Sequence, residues 1–263
     1  MDKIIDFHVH PLLYPDQQIT MYNICSLTPQ SFKSYLVENG ITNICGSVIS
    51  PRHTELGLSE WENVKRNNDS AYQLSSLYGD FYVPGIHVHP AYVDESIAEI
   101  DRACNCGVTL IGELVPYVDH WEEQYNNIHS ILDYVETKKM IVSIHALDDP
   151  NIDELVCAHP TVTFVGAHPG HWTAFFAQIE RMKKYDNYYL DISAEGITRF
   201  GMLQQLKNEV GTDRLLYGSD FPSCNPCVFI AGVRNDPFIT QDEKEAILFK
   251  NAQRLLNAHG GKL

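Results

Sequence analysis

Two histidines one residue apart close the first apolar run of the chain, "KIIDFHVHP". Ile4 and Ile5 predict a buried strand, and in a strand residues i and i+2 face the same side. His8 and His10 then point together, with Asp6 on that face. Neutral imidazole nitrogens are common zinc ligands, so the pair supplies half of a metal site. The remaining ligands must come from elsewhere in the chain.

Strand-like and helix-like stretches alternate along the sequence. The strand-like runs are "KIIDFHVH", "ITNICGSVIS", "FYVPGIHV", "GVTLIGELV", "MIVSIHA", "TVTFVGAH", "NYYLDIS" and "RLLYGSD", eight in all. Between them, Ile128, Ile131, Leu132 and Val135 form an i, i+3, i+4, i+7 helical stripe. Ile97, Ile100 and Cys104 predict a second helix, and Leu203, Leu206 and Val210 a third that ends at Gly211. A last helix is predicted over "TQDEKEAILFKNAQRLLNAHGG", with a threonine cap and an acidic first turn. Eight strands separated by helices predict parallel β-α units closed into a (β/α)8 TIM barrel, an α/β fold with residues 1–263 as one domain. An open doubly wound sheet would place a glycine-rich turn after the first strand, where this chain has "HPLLYPDQQ".

The active site of such a barrel lies at the C-terminal ends of its strands. Those ends carry His8 and His10, then Arg52 and His53, then His87 and His89. Glu113, His145, His168, Asp191 and Asp220 follow on the later strands. Each sits beside an apolar run that buries it, and a buried polar group is costly unless satisfied. A lone histidine so placed is ordinarily a core residue bonded to backbone. Repetition at equivalent strand ends points instead to a shared metal centre.

The motifs "DFHVH", "SIHA", "GAHPG" and "LYGSDFP", in this order over almost the whole chain, resemble the amidohydrolase superfamily. "LYGSDFP" followed by "KNAQRLL" is most similar to its amidohydrolase-related branch, which contains hydrolases, decarboxylases and a hydratase. "LIGELVPY" is also similar to the fourth strand of TatD-like hydrolases, where a glutamate bridges two metals. The resemblance implies that His8, His10 and Asp220 bind the more buried metal. His145 and His168 would bind a second, with Glu113 bridging. In a mononuclear enzyme His145 would complete one site and His168 would act on substrate. The carboxylated lysine of many binuclear members is missing from the fourth strand, which leaves both one and two metals open, with two preferred.

The implied chemistry is hydrolysis of an amide, ester, lactone or phosphoester bond in a small molecule. A divalent metal lowers the pKa of bound water towards about 7, and Asp220 can take that water's proton. Zinc suits mixed histidine and carboxylate ligands best, and manganese, iron and nickel are the other choices. Non-oxidative decarboxylation is the rival enzymatic reading, and a non-catalytic metal-binding barrel the rival from another class. Arg52, His89 and His171 are the candidates for gripping substrate. Asp6 and Asp191 are expected to support neighbouring groups. His53, His120, His129, His159 and His259 read as loop or helix-surface residues.

With 19 Lys and Arg against 34 Asp and Glu, the formal charge is −15. Such a surface repels nucleic acid and anionic membranes, so neither is expected as a partner. A strand beginning almost at the first residue predicts no signal peptide, and a cytoplasmic protein, as a homodimer if it assembles at all. The seven scattered cysteines do not suggest a disulfide framework. Cys224 and Cys227 match C-x-x-C, and loop packing is the preferred reading of them. The long loops "PLLYPDQQITMYNICSLT" and "PYVDHWEEQYN" are aromatic and acidic, and neither identifies a substrate.

Overall fold

The computed structural model of the protein describes residues 3–19, 26–51, 53–117, 121, 125–145, 150–195 and 198–261. Arg52 and His120 lie outside the described residues. The strands are β1 (Ile5–Asp6), β2 (Asn43–Ser47), β3 (Tyr82–Ile86), β4 (Leu110–Leu114), β5 (Ile141–His145), β6 (Thr163–Ala167), β7 (Tyr188–Asp191) and β8 (Leu215–Leu216). All neighbouring strands pair in parallel, in chain order from β1 to β8. Backbone hydrogen bonds from Phe7 N–H to Tyr217 O and from His10 N–H to Phe221 O, each 2.8 Å, join the two ends. The expected (β/α)8 barrel is therefore the observed fold.

Helices follow the strands: α1 (Pro29–Glu38), α2 (Glu60–Tyr78), α3 (Val93–Asn105), α4 (Ile128–Lys138), α5 (Pro150–Ala158), α6 (Trp172–Lys184) and α7 (Met202–Val210). The chain then forms α8 (Pro226–Asn235), α9 (Gln241–Glu245) and α10 (Asn251–Ala258). Among the described residues, no helix is long and apolar enough to cross a membrane.

Two apolar layers follow from strands buried on both faces. Inside the barrel, Ile5, Phe7, Cys45, Val83, Leu110, Ile141, Val165 and Leu216 pack together with Ala252, Leu255 and Leu256 of α10. The C-terminal helix thus closes the end of the barrel where the strands begin. Outside, helix stripes cover the sheet, and α4 buries Ile128, Ile131, Leu132 and Val135 as its periodicity requires. In α3 the buried face is instead Ser96, Glu99, Ile100 and Ala103, rotated away from Ile97 and Cys104. Polar partners hold that register, because Ser96 Oγ accepts from His89 N–H and Glu99 Oε1 from the Tyr72 hydroxyl, both at 3.0 Å. The last predicted helix begins as expected, with Thr240 Oγ1 accepting from Glu243 N–H, but a π turn over 246–250 divides it into α9 and α10.

Two histidines expected at the surface are buried. His53 directs Nδ1 at Ser50 O, and His159 stacks on His129 with 2.9 Å between His129 Nδ1 and His159 Nε2. His129 belongs to α4, 30 residues away in the chain, so the local sequence around His159 does not reveal its burial. Among the described residues every cysteine is free.

Candidate metal centre

The strand ends bring His8, His10, Glu113, His145, His168 and Asp220 to one place inside the barrel mouth. His8 Nε2 lies 3.0 Å from His10 Nε2, 3.2 Å from Glu113 Oε2 and 3.7 Å from Asp220 Oδ1. His10 Nε2 lies 3.4 Å from both Glu113 Oε2 and Asp220 Oδ1. The other carboxylate oxygen of Glu113 faces a second pair, at 2.9 Å from His145 Nδ1 and 3.6 Å from His168 Nε2. Glu113 therefore divides its two oxygens between two groups of donors. Most of the cluster is buried, while His145 and Asp220 keep 17% and 14% exposure and mark the side open to a reactant.

Local backbone conformation aims these groups. Gly112, one residue before Glu113, has φ of +93°, and a Cβ there would overlap the carbonyl oxygen of Ser143. Only glycine lets β4 turn its glutamate inward at this point. His168 and Asp220 themselves adopt φ of +68° and +59°, a left-handed conformation that non-glycine residues hold only when surroundings enforce it. For Asp220, the enforcing contact is its own N–H, which donates to His8 O at 2.8 Å. Asp6 does not join the ring cluster. Its Oδ1 accepts from Ser219 N–H at 2.9 Å and His8 N–H at 3.3 Å, tying the "GSD" turn to the first strand.

The donor set fits a divalent cation. Ligand atoms about 2.1 Å from a tetrahedral metal stand about 3.4 Å apart, and the separations among His8, His10, Glu113 and Asp220 given above span 3.0 to 3.7 Å. The outer ring nitrogens are also held by acceptors: His10 Nδ1 donates to Ser47 O at 3.0 Å and His8 Nδ1 to Asp191 Oδ2 at 2.9 Å. Both bare Nε2 atoms then face one another, an arrangement that a cation or a proton must relieve. Burial opposes charge on His8, but Asp191 and Glu113 hold it well above the usual imidazole range. His10 is raised in the same way, against burial, by Asp220 and Glu113. Burial would raise Glu113, yet His8, His10 and His145 hold it well below the usual carboxylate range. Protons kept in this way by an anionic pocket are those a metal displaces on binding.

Of the residues expected to grip substrate, the two described, His89 and His171, do not join the cluster. His89 is fully buried, with its ring against Tyr92 and Trp121. His171 stands at the exposed start of α6, 2.8 Å from Glu195 Oε2 and 3.2 Å from Arg199 Nη2. Arg52 is outside the described residues. Two residues matter more than the sequence alone suggests. Asp191, at the end of β7, accepts from His8 through one oxygen and from the Ser193 N–H, at 2.9 Å, through the other. Ser193 Oγ lies 2.8 Å from His168 Nδ1. The carboxylate and hydroxyl two residues apart in "DIS" are the one sequence signal for this pair.

The profile of the amidohydrolase family matches residues 5–258. No curated protein matches the chain in sequence. Among solved structures, 5-carboxyvanillate decarboxylase from Sphingomonas paucimobilis is similar with a TM-score of 0.71 at 13% identity, covering 98% of this chain and 99% of that one. Dihydroxybenzoic acid decarboxylase from Polaromonas, with bound manganese and 2-nitroresorcinol, gives a TM-score of 0.63 at 14% identity, covering 98% of both chains. For 4-oxalomesaconate hydratase from Rhodopseudomonas palustris the TM-score is 0.64 at 17% identity, covering 97% of both chains. At these identities the likeness is one of fold.

Proposed function

The chain belongs to the amidohydrolase family, and from that premise we propose that it is a metal-dependent hydrolase cleaving an amide, ester, lactone or phosphoester bond in a small molecule. The observation that carries this reading is the divided Glu113 carboxylate, with Oε2 among His8 and His10 and Oε1 on His145 and His168. A glutamate in that position suits a bridge between two divalent cations, with zinc as first choice. A bound divalent cation supplies water of lowered pKa and polarises the scissile bond.

The chain's own residues supply the rest. Asp220 is the partly open carboxylate of the cluster, placed to take a proton from water and return it to a leaving group. Asp191 fixes the orientation of His8, and Ser47 O that of His10. His145 and Tyr117, whose rings meet edge to face 5.2 Å apart, line the approach.

Decarboxylation of a small carboxylic acid is the second reading. Its support is the occurrence of decarboxylases among proteins of the same fold. There one metal suffices and Glu113 is dispensable for the chemistry. A panel of esters, lactones, amides and phosphoesters, assayed with zinc and with manganese beside small aromatic carboxylic acids, separates the two. Turnover of a hydrolysable substrate that is lost in Glu113→Gln supports hydrolysis. Release of carbon dioxide that survives Glu113→Gln overturns it.

A further inference from the structure

Ser193 sits two residues beyond β7, fully buried at the Nδ1 edges of two stacked imidazoles, those of His8 and His168, whose centroids are 4.8 Å apart. Among the described residues its hydroxyl has three polar neighbours. It donates to Asp191 Oδ1, and lies 2.8 Å from His168 Nδ1 and 3.2 Å from His8 Nδ1. A hydroxyl has one proton and two lone pairs, and an ionised carboxylate only accepts. Asp191 is engaged on both oxygens, by His8 on one and by Ser193 and the His168 N–H on the other.

We infer that Ser193 fixes the tautomer of His168: the hydroxyl proton is committed to Asp191, so Oγ can only accept from His168 Nδ1, which leaves Nε2 bare towards Glu113. The same count puts the proton of neutral His8 on Nδ1, shared by Asp191 Oδ2 and Ser193 Oγ. A single buried carboxylate, extended by one hydroxyl, thus directs two Nε2 lone pairs into the centre. Ser193 is a positioning residue, since it acts through the imidazole and faces no reactant. His168 in this form can bind a cation or accept a proton at Nε2, and it cannot donate one there while neutral.

The inference concerns the centre described above and rests on its metal-dependent reading only for its consequence. The tautomer itself is read without metal. Full-length protein labelled with 15N-histidine is stripped of metal by chelation, and its imidazole nitrogens are recorded near pH 8. His168 signals are assigned by their loss in His168→Asn. The wild type should show a protonated Nδ1 and a bare Nε2. Ser193→Ala should move His168 to the Nε2–H form or a mixture, and weaken zinc binding by about 10–100-fold in chelator competition. Asp191→Ala offers an independent route, because it removes the acceptor of the hydroxyl proton and frees that proton to turn towards His168 Nδ1. It should give the same change of tautomer if Ser193→Ala does not fold. An Nε2–H form in the wild type, or an unchanged Nδ1–H form in both variants, overturns the assignment. Failure of the wild type to take up zinc on titration contradicts metal dependence instead, so the two failures are distinguishable.

Discussion

Asp191 Oδ2 accepts a hydrogen bond from His8 Nδ1 at 2.9 Å, across 183 residues of chain, with both groups buried. This bond orients the first histidine of the cluster and places a negative charge behind it. Carboxylate, imidazole and metal in series is a recurring way of fixing a ligand and raising its basicity. Replacing Asp191 by Ala should weaken zinc binding by about 10–100-fold, measured by competition with a chromophoric chelator. Unchanged affinity would make Asp191 a purely structural carboxylate.

Removal of His8 or Asp220 tests the centre itself. His8→Ala should lose at least one equivalent of metal and all measurable turnover, with the circular dichroism spectrum retained. Asp220→Asn should lower kcat by about 100-fold or more, as expected when a general base is removed. Full activity in either variant would contradict the assignment.

Gly112 carries a prediction about the backbone under Glu113. With φ at +93° and Ser143 O in the place of a Cβ, Gly112→Ala should lower unfolding free energy by about 1–3 kcal/mol or more. Urea unfolding monitored by fluorescence reads this directly. A variant as stable as the wild type would mean that β4 can shift, and with it the aim of Glu113.

His87 predicts a pH dependence of stability. It is buried, with Nε2 donating to Val48 O at 2.8 Å, and burial pushes its pKa from 6.5 down to about 4. Between these values the unfolded chain binds more protons than the folded one. Stability therefore rises with pH through this window and is lost as pH falls, by about 3 kcal/mol over the full range. Chelated wild-type protein should lose more stability between pH 7 and pH 4.5 than chelated His87→Gln. Equal losses would show that His87 is protonated in the folded state.

Much of this architecture is legible in the sequence. Apolar runs mark all eight strands even where β1 and β8 keep only two ladder residues each, because burial rather than ladder length sets the pattern. The residues that converge stand at the ends of those runs, so a parallel barrel is enough to gather His8, His10, Glu113, His145, His168 and Asp220. What sequence leaves out is pairing at a distance. Nothing local tells that Asp191 faces His8, that Ser193 faces His168, or that His159 is covered by His129. The rotated face of α3 has the same origin, since Ser96 and Glu99 are buried by partners on other elements. Substrate selection is left to loops whose polarity and length fit many ligands.

The role proposed for Glu113, a carboxylate shared by two cations, sets the metal content expected of the chain. Elemental analysis of the protein, purified without added metal or chelator, tests it most directly. Close to two equivalents of zinc or another divalent metal per chain are expected, falling to one or fewer in Glu113→Gln. A single equivalent that survives Glu113→Gln would contradict that role, return His168 to substrate chemistry and favour decarboxylation.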